Sequence, residues 1–415
     1  MRIAIVGAGV SGLVAAHYLQ RDHQIVLFES ADYAGGHTHT VDVELDGIEH
    51  PVDTGFIVFN EHNYPNFTEL LNELGVASQP SSMGFSFKSE TPDFEYMGGS
   101  LDTIFAQRRN LLRPHFYRML RDILKFNEQA PACLRSESDM TLGQLLDDGG
   151  YSRLFVERYL LAMGAAIWSA PIDKMREFPA RAFVQFFVNH GLLKVKDRPQ
   201  WRTVTGGARR YVEAILEGFS GELRLNAPVS QVTRLPGHVH VETADAVDSF
   251  DSVIFACHSD QALELLDDPS AKETEILGAM TYQANEAVLH TDTSLLPKRR
   301  RAWAAWNYLS RSEVIERVAV TYNLNILQDL PFHQQCLVTL NANHAIRPET
   351  IIKKVNYDHP LFSAESFAAQ SRRAEISGVR RTHYCGAYWG YGFHEDGVSS
   401  ALDVCRELTQ LRAAV

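Results

Sequence analysis

The sequence predicts an α/β fold of two domains, and three observations carry that reading. The chain has 415 residues, 45% of them hydrophobic and 22% charged, which is long for a single core and balanced like a globular protein. It opens on an apolar run, a glycine-rich turn, a helix-like run and a second apolar run, "RIAIVGAGVSGLVAAHYLQRDHQIVLFES". A glycine turn followed by a helix-like run returns near the end, in "YCGAYWGYGFHEDGVSSALDVC" from Tyr384.

The opening element is a buried strand, because Ile3 to Val6 are continuously apolar. Gly7, Gly9 and Gly12 follow in GxGxxG spacing. Gly7 permits the turn, Gly9 lets the backbone approach a pyrophosphate, and Gly12 lets the helix pack close to the strand. Val10 and Ser11 open that helix, whose N-terminus offers free N–H groups and positive dipole to phosphates. The second strand ends at Glu29 and Ser30, where an acid accepts hydrogen bonds from ribose hydroxyls. The unit reads as a Rossmann-like dinucleotide site.

Bulk properties exclude several classes. A formal net charge of -12 argues against nucleic acid as a partner. Cys133, Cys257, Cys336, Cys385 and Cys405 are scattered with no CxxC pair. That pattern suggests neither a disulfide framework nor a zinc site, and it fits a reducing cytoplasm. No apolar run is long enough to span a bilayer, and a strand starting at Arg2 leaves no room for a signal peptide.

Next comes "ESADYAGGHTHTV", with a second turn at Gly35 and Gly36 followed by His37, Thr38 and His39. Here the sequence resembles the flavin-containing amine oxidase and carotenoid desaturase superfamily. That family continues its ribose acid into a Gly-Gly-Arg segment along the pyrophosphate and flavin. His37 stands at the arginine position, which replaces a fixed charge by a group that is neutral or charged near pH 7. The resemblance extends over the whole chain. It implies that Gly206 and Gly207 precede a helix, that Val229 meets the adenine, and that the strand Val253 to Ala256 ends near the cofactor. It also implies that the C-terminal segment delivers Gly386 under the flavin. A last helix from about Gly397 and Val398 then points its N-terminus at the ring. The cofactor implied is FAD, bound non-covalently, with Cys385 a free thiol. The implied division assigns residues 1–82, 202–283 and 360–415 to the FAD domain. Residues 83–201 and 284–359 go to the substrate domain.

From Met83 to Trp201 the pattern reads as helices, and Phe183, Phe186, Phe187 and His190 are candidate linings of an apolar tunnel, although periodicity does not separate lining from core. From Ala284 to Ala345 it reads as strands: "EAVLHTD", "RVAVTYNLNIL" and "QQCLVTLNA". Many relatives carry a lysine on the first of these, whereas "YQANEAVLHTD" has none. Tyr322, His394 and Glu395 are the candidate catalytic residues, and no metal site is expected. Lys298, Arg299, Arg300 and Arg301, beside Trp303, form a basic block read either as a solvated loop or as a contact for anionic headgroups or a carboxylate.

Segments such as "GGHTHTV" and "GFHEDG" resemble a bacterial subgroup of NAD/FAD-binding oxidoreductases that occurs beside cyclopropane-fatty-acid-synthase-like methyltransferases. This resemblance implies a desaturase- or oxidase-type enzyme acting on a fatty acyl chain, on the inner membrane face, with a lipid methyltransferase as partner. Two alternatives stand beside it: an amine or amino-acid oxidase, and a non-catalytic flavin-bound partner of such a methyltransferase.

Overall fold

The computed structural model describes residues 1–135, 139–310 and 319–413. The apolar strand Arg2–Val6 pairs in parallel with Gln24–Phe28 on one side and Ser252–Phe255 on the other. Glu222–Arg224 and Thr382–Tyr384 extend this sheet at its two edges, also in parallel. Its five strands therefore come from the start, middle and end of the chain. The helices Val10–Leu19 and His394–Ala413 pack against each other beside it.

A second sheet has seven strands in the order Ile351–Leu361, Thr281–His290, Leu337–Leu340, Ala319–Asn323, Trp306–Ser310, Phe85–Ser89, Phe94–Met97. Phe87, Tyr308 and Val320 of this sheet share a core with Phe116, Met119, Phe126 and Phe155 from the helical segment. Leu289 and Val338 share another with Val43 and Val52 of the hairpin Thr40–Leu45 and Ile48–Asp53. Asp53 ties this hairpin to its neighbours. Its carboxyl group accepts from Thr40 Oγ1, Ala208 N and Gln328 Nε2 at 2.5–3.0 Å.

The structure corrects four expectations. Phe85–Ser89 and Phe94–Met97 are strands within the region read as helical, because their aromatic side chains pack against the helical layer. Ile351–Leu361 is an eleven-residue strand that was not expected and that crosses the division drawn at residue 360. Its edge position and its exposed Lys353 and Lys354 hide the alternation of a half-buried strand. In "RVAVTYNLNIL" the strand stops at Asn323, whose side chain caps the short helix Leu324–Gln328; Arg317 and Val318 lie outside the described residues. The last helix begins at His394, before Gly397, because Asp396 accepts from Tyr391 N and Phe393 N and closes the turn ahead of it.

A buried ion pair joins three elements of the nucleotide-side core. Glu273, on helix Ala271–Gly278, accepts from Arg234 Nη1 at 2.5 Å and Nη2 at 3.0 Å, and from Tyr384 Oη at 2.7 Å. Burial raises its pKa, but the bonds from Arg234, Ser270 and Tyr384 outweigh that and hold it at about 2. Glu273→Ala leaves the Arg234 charge buried without its main partner. Unfolding by urea should show a loss of about 3–5 kcal/mol, and a loss below about 1 kcal/mol would mean that the pair is not stabilising.

Candidate active site

Two cavities meet inside the protein. The first, of about 580 Å³, runs along the carboxyl ends of the parallel strands. Gly7, Gly9, Val10, Ser11, Glu29 and Ser30 line it, with Gly35, Gly36, His37, Val229, Ala256 and Gly386. At Gly7, φ is +104°, and an added Cβ would stand 3.0 Å from the Ala256 carbonyl. Nothing lies within 4 Å of a Cβ built on Gly9, so the backbone faces open space where the strand turns into the helix. No side chain caps Val10–Leu19, leaving its first-turn N–H groups to that space. Glu29 accepts from Ala8 N at 2.8 Å and Ala31 N at 2.9 Å, which fixes a carboxylate with lone pairs to spare. An uncapped helix N-terminus, a bare backbone and a fixed acid are the donor set and shape that a dinucleotide needs, so these residues fit FAD.

Four of the expected cofactor residues support this cavity without lining it. Gly12 packs so tightly that a Cβ would fall 1.9 Å from Gly7 O. A Cβ on Gly397 would meet Val10 Cγ1 at 2.8 Å, so its absence lets the last helix close on the first. Thr38 lies behind the wall, with Oγ1 2.5 Å from Tyr211 Oη. Val398 is a core residue, 1% exposed. Its expected cofactor contact is corrected because it faces the nucleotide-side core.

The second cavity, of about 540 Å³, lies between the two sheets' cores. Phe56, Met163, Ile167, Trp168, Phe186, Trp201, Trp306 and Phe362 contribute to its wall. Among its described lining residues there is no Asp, Glu or Lys, and Arg198 is the one arginine. Tyr322 lines this cavity, set edge-on to Trp306 at 5.3 Å, and burial pushes its phenol far up. Of the tunnel candidates, Phe186 and His190 line it. Phe183 and Phe187 instead stack on each other at 4.2 Å in the core.

His37, Tyr357, His359, Pro360, Gly392, Phe393 and His394 line both cavities and form their junction. His394 stacks on Phe56 at 3.7 Å, and its Nε2 lies 2.8 Å from Tyr211 Oη. His37 meets Tyr357 at 4.8 Å, and burial and the nearby histidines hold its pKa well below the ordinary value. Asn285 Nδ2 donates to His359 Nδ1 at 2.9 Å, which puts the proton of the neutral ring on Nε2. Burial, with His258 nearby, holds His359 at about 4. Tyr357 and His359 were not anticipated from sequence; their only signal is alternate placement on the disguised edge strand.

Glu395 is corrected as a catalytic candidate. It lines neither cavity, since its carboxylate accepts from Asn66 N, Asn66 Nδ2 and Phe67 N at 2.7–3.0 Å. It thereby caps the helix Pro65–Glu73 from outside. The basic block also lies apart from both linings. Arg299 pairs with the buried Glu95 at 2.6 Å, Lys298 with Asp93 at 3.8 Å and Arg301 with Asp102 at 3.5 Å. Arg300 lies over Trp303. Among the described residues no cluster of acids, histidines and cysteines suits a metal, and no helix is long and apolar enough to cross a membrane.

The junction makes a pH prediction. Burial lowers the His394 pKa from 6.5 to about 3. Between those values the unfolded chain binds a proton that the folded one refuses, so this contribution to stability falls as pH drops. From about pH 7 to about pH 5, wild type should lose about 2 kcal/mol more than His394→Gln. Chemical denaturation at both pH values checks this; equal losses would place a charged, solvated histidine here.

Comparison with known proteins accords with this geometry. A family model described as flavin containing amine oxidoreductase matches residues 10–316. An L-amino-acid oxidase of Mus musculus is 26% identical over 274 residues, covering 60% of this chain and 39% of that protein. The chain thus spans well under half the length of that curated relative. A CLA-producing fatty acid isomerase from P. acnes is similar in structure, with a TM-score of 0.69 at 18% identity over 98% of both chains. Cyclohexylamine oxidase from Brevibacterium oxydans IH-35A gives a TM-score of 0.69 at 16% identity, over 98% of this chain and 99% of that one. These two likenesses show the fold, and the matched family model shows that the chain belongs to the flavin containing amine oxidoreductase family.

Proposed function

We propose that the protein is an FAD-dependent oxidoreductase acting on an apolar substrate, a fatty acyl chain. The observation that carries this is the second cavity, walled by aromatics and free of described carboxylates and lysines. A cationic amine entering it would lose water without gaining an opposite charge, a cost of several kcal/mol. The strand Thr281–His290 likewise offers no lysine, only Asn285 turned to His359. An alkyl chain meets no such penalty, because it gains from burial.

Under this proposal residues 1–82, 202–283 and 360–415 hold FAD, and the other two segments hold the substrate. Glu29 takes the ribose hydroxyls, and the start of Val10–Leu19 takes the phosphates. Bound flavin supplies hydride acceptance from a C–H bond. The chain's own contribution is to position the substrate at the junction and exclude water. His394, locked between Phe56 and Tyr211, holds one wall of that junction. His359 presents an uncharged Nε2–H donor there, and Tyr322 lies farther along the substrate cavity. For a chain esterified in phospholipid, this reading includes contact with an anionic membrane surface and a lipid methyltransferase as partner. Arg300 has the freest charge of the basic block, since the other three face acids.

Purified protein should be yellow and release FAD when denatured with acid. Cys385 is fully buried and lines neither cavity, so colour retained in the acid pellet would contradict non-covalent binding. Glu29→Ala should weaken FAD binding by about 1–3 kcal/mol, read by titrating apoprotein with FAD. Anaerobic mixing should show flavin bleaching by lipid acyl chains and none by alkylamines. Peroxide release with amines or L-amino acids alone would transfer the protein to the amine-oxidase reading. A flavin that no lipid fraction or amine reduces would favour the non-catalytic partner.

A further inference from the structure

We infer that Arg198 anchors the free carboxylate of the substrate, so that the substrate is a fatty acid rather than an ester; this rests on the acyl-chain reading above. Arg198 is exposed, yet it belongs to the lining of the otherwise aromatic cavity, so it stands at the rim. Its chain position is fixed from both sides. It lies between helix Ala180–Asn189 and strand Trp201–Val204. Gly191, at φ +64°, turns the segment back so closely that a Cβ there would meet Pro199 Cδ at 2.9 Å. Asp197, at φ +57°, adds a second left-handed residue immediately before Arg198.

The guanidinium is tethered at one nitrogen. Its Nε donates to Lys194 O at 2.7 Å. Among the described residues no ion pair engages its charge, and no bond engages either Nη group. The remaining fork of parallel N–H donors is the shape that a carboxylate takes in two hydrogen bonds. The neighbouring chain carries exposed Lys194, Lys196 and Asp197, so with Arg198 the segment remains net positive, although of these four only Arg198 lines the cavity. In a protein of net charge -12, a local cationic rim over a cavity without acids selects one end of a substrate. An alkyl chain with an anionic head satisfies both surfaces at once: the tail fills the aromatic wall and the head remains at the hydrated rim. A phosphate head would use the same N–H fork, and the experiment separates the two.

The test uses the FAD-loaded protein. Laurate, palmitate and oleate, and their methyl esters, are titrated while flavin absorbance and melting temperature are followed. Wild type should bind each acid more tightly than its ester. Arg198→Gln should lower acid affinity by about tenfold or more while leaving ester affinity within about twofold, and Arg198→Lys should restore part of the preference. Unchanged melting temperature of the unliganded variants shows that the fold persists. Equal binding of acid and ester in wild type, or an unchanged ratio in Arg198→Gln, overturns the carboxylate anchor and leaves the acyl-chain reading intact. If Arg198→Gln loses binding to phosphatidylglycerol vesicles but keeps the acid preference, the arginine serves a phosphate headgroup and the inference fails. If neither acids nor esters bind wild type, the acyl-chain reading falls and takes this inference with it.

Discussion

The structure depends on one close approach, made twice, of a helix to backbone that a side chain would block. Gly12 brings the first helix to within 1.9 Å, measured from a hypothetical Cβ, of the Gly7 carbonyl oxygen. Gly397 brings the last helix against Val10 and Ser11 in the same way, and Ser11 Oγ donates to Gly397 O at 3.0 Å. The first contact sets the shape of the phosphate turn. The second fixes the C-terminal segment, residues 384 to 397, against that turn even though it arrives from the far end of the chain.

The dense segment "GYGFHEDG" is explained by four adjacent residues with four different tasks. His394 fills the junction wall between Phe56 and Tyr211. Glu395 turns outward and caps helix Pro65–Glu73, whose Phe67 in turn packs edge-on against His394 at 5.2 Å. Asp396 turns back and closes the preceding loop through Tyr391 N and Phe393 N; burial pushes its pKa up to about 6. Gly397 leaves room for the first helix. A helix start that must bind on three sides has no space for ordinary capping, which is why its composition is so unusual. Charged residues in a glycine turn resembled catalytic groups, yet both acids act on backbone N–H donors.

The centre of the parallel sheet was legible because Arg2–Val6, Gln24–Phe28 and Ser252–Phe255 are largely apolar and the turn after the first is glycine-rich, so the pattern and the backbone constraint coincide. Gly7, Gly9 and Glu29 could be read on that basis, whereas Gly36 and Gly386 came from the family resemblance. The second cavity was legible only as an apolar region. Phe183, Phe186 and Phe187 lie on one helix and His190 just past its end, yet Phe183 and Phe187 lie in the core and Phe186 and His190 on the cavity wall. That difference arises from what packs opposite, which no period in the sequence encodes. Tyr357 and His359 were hidden for another reason. Their strand is an edge that carries exposed lysines at the consecutive positions 353 and 354, so the residues that reach the junction look like part of a solvated loop.

The electrostatic character of the two cavities follows from the same arrangement. The first brings together an uncapped helix terminus and the backbone-held carboxylate of Glu29, which suits phosphates and ribose. The junction holds His37, His359 and His394 out of water, so each favours its neutral form. The second cavity begins beyond them with no described acid, although the chain carries 51 Asp and Glu residues in all. On the proposed reading, the lack of a described acid along this cavity disfavours a cationic substrate, because a buried ammonium there would meet no carboxylate. Charge is met again only at the rim, where it is positive. On the acyl-chain reading proposed above, the gradient from helix terminus, through neutral histidines and aromatic wall, to Arg198 suits a molecule whose reacting end is uncharged and whose charge, where it has one, lies at the opposite end.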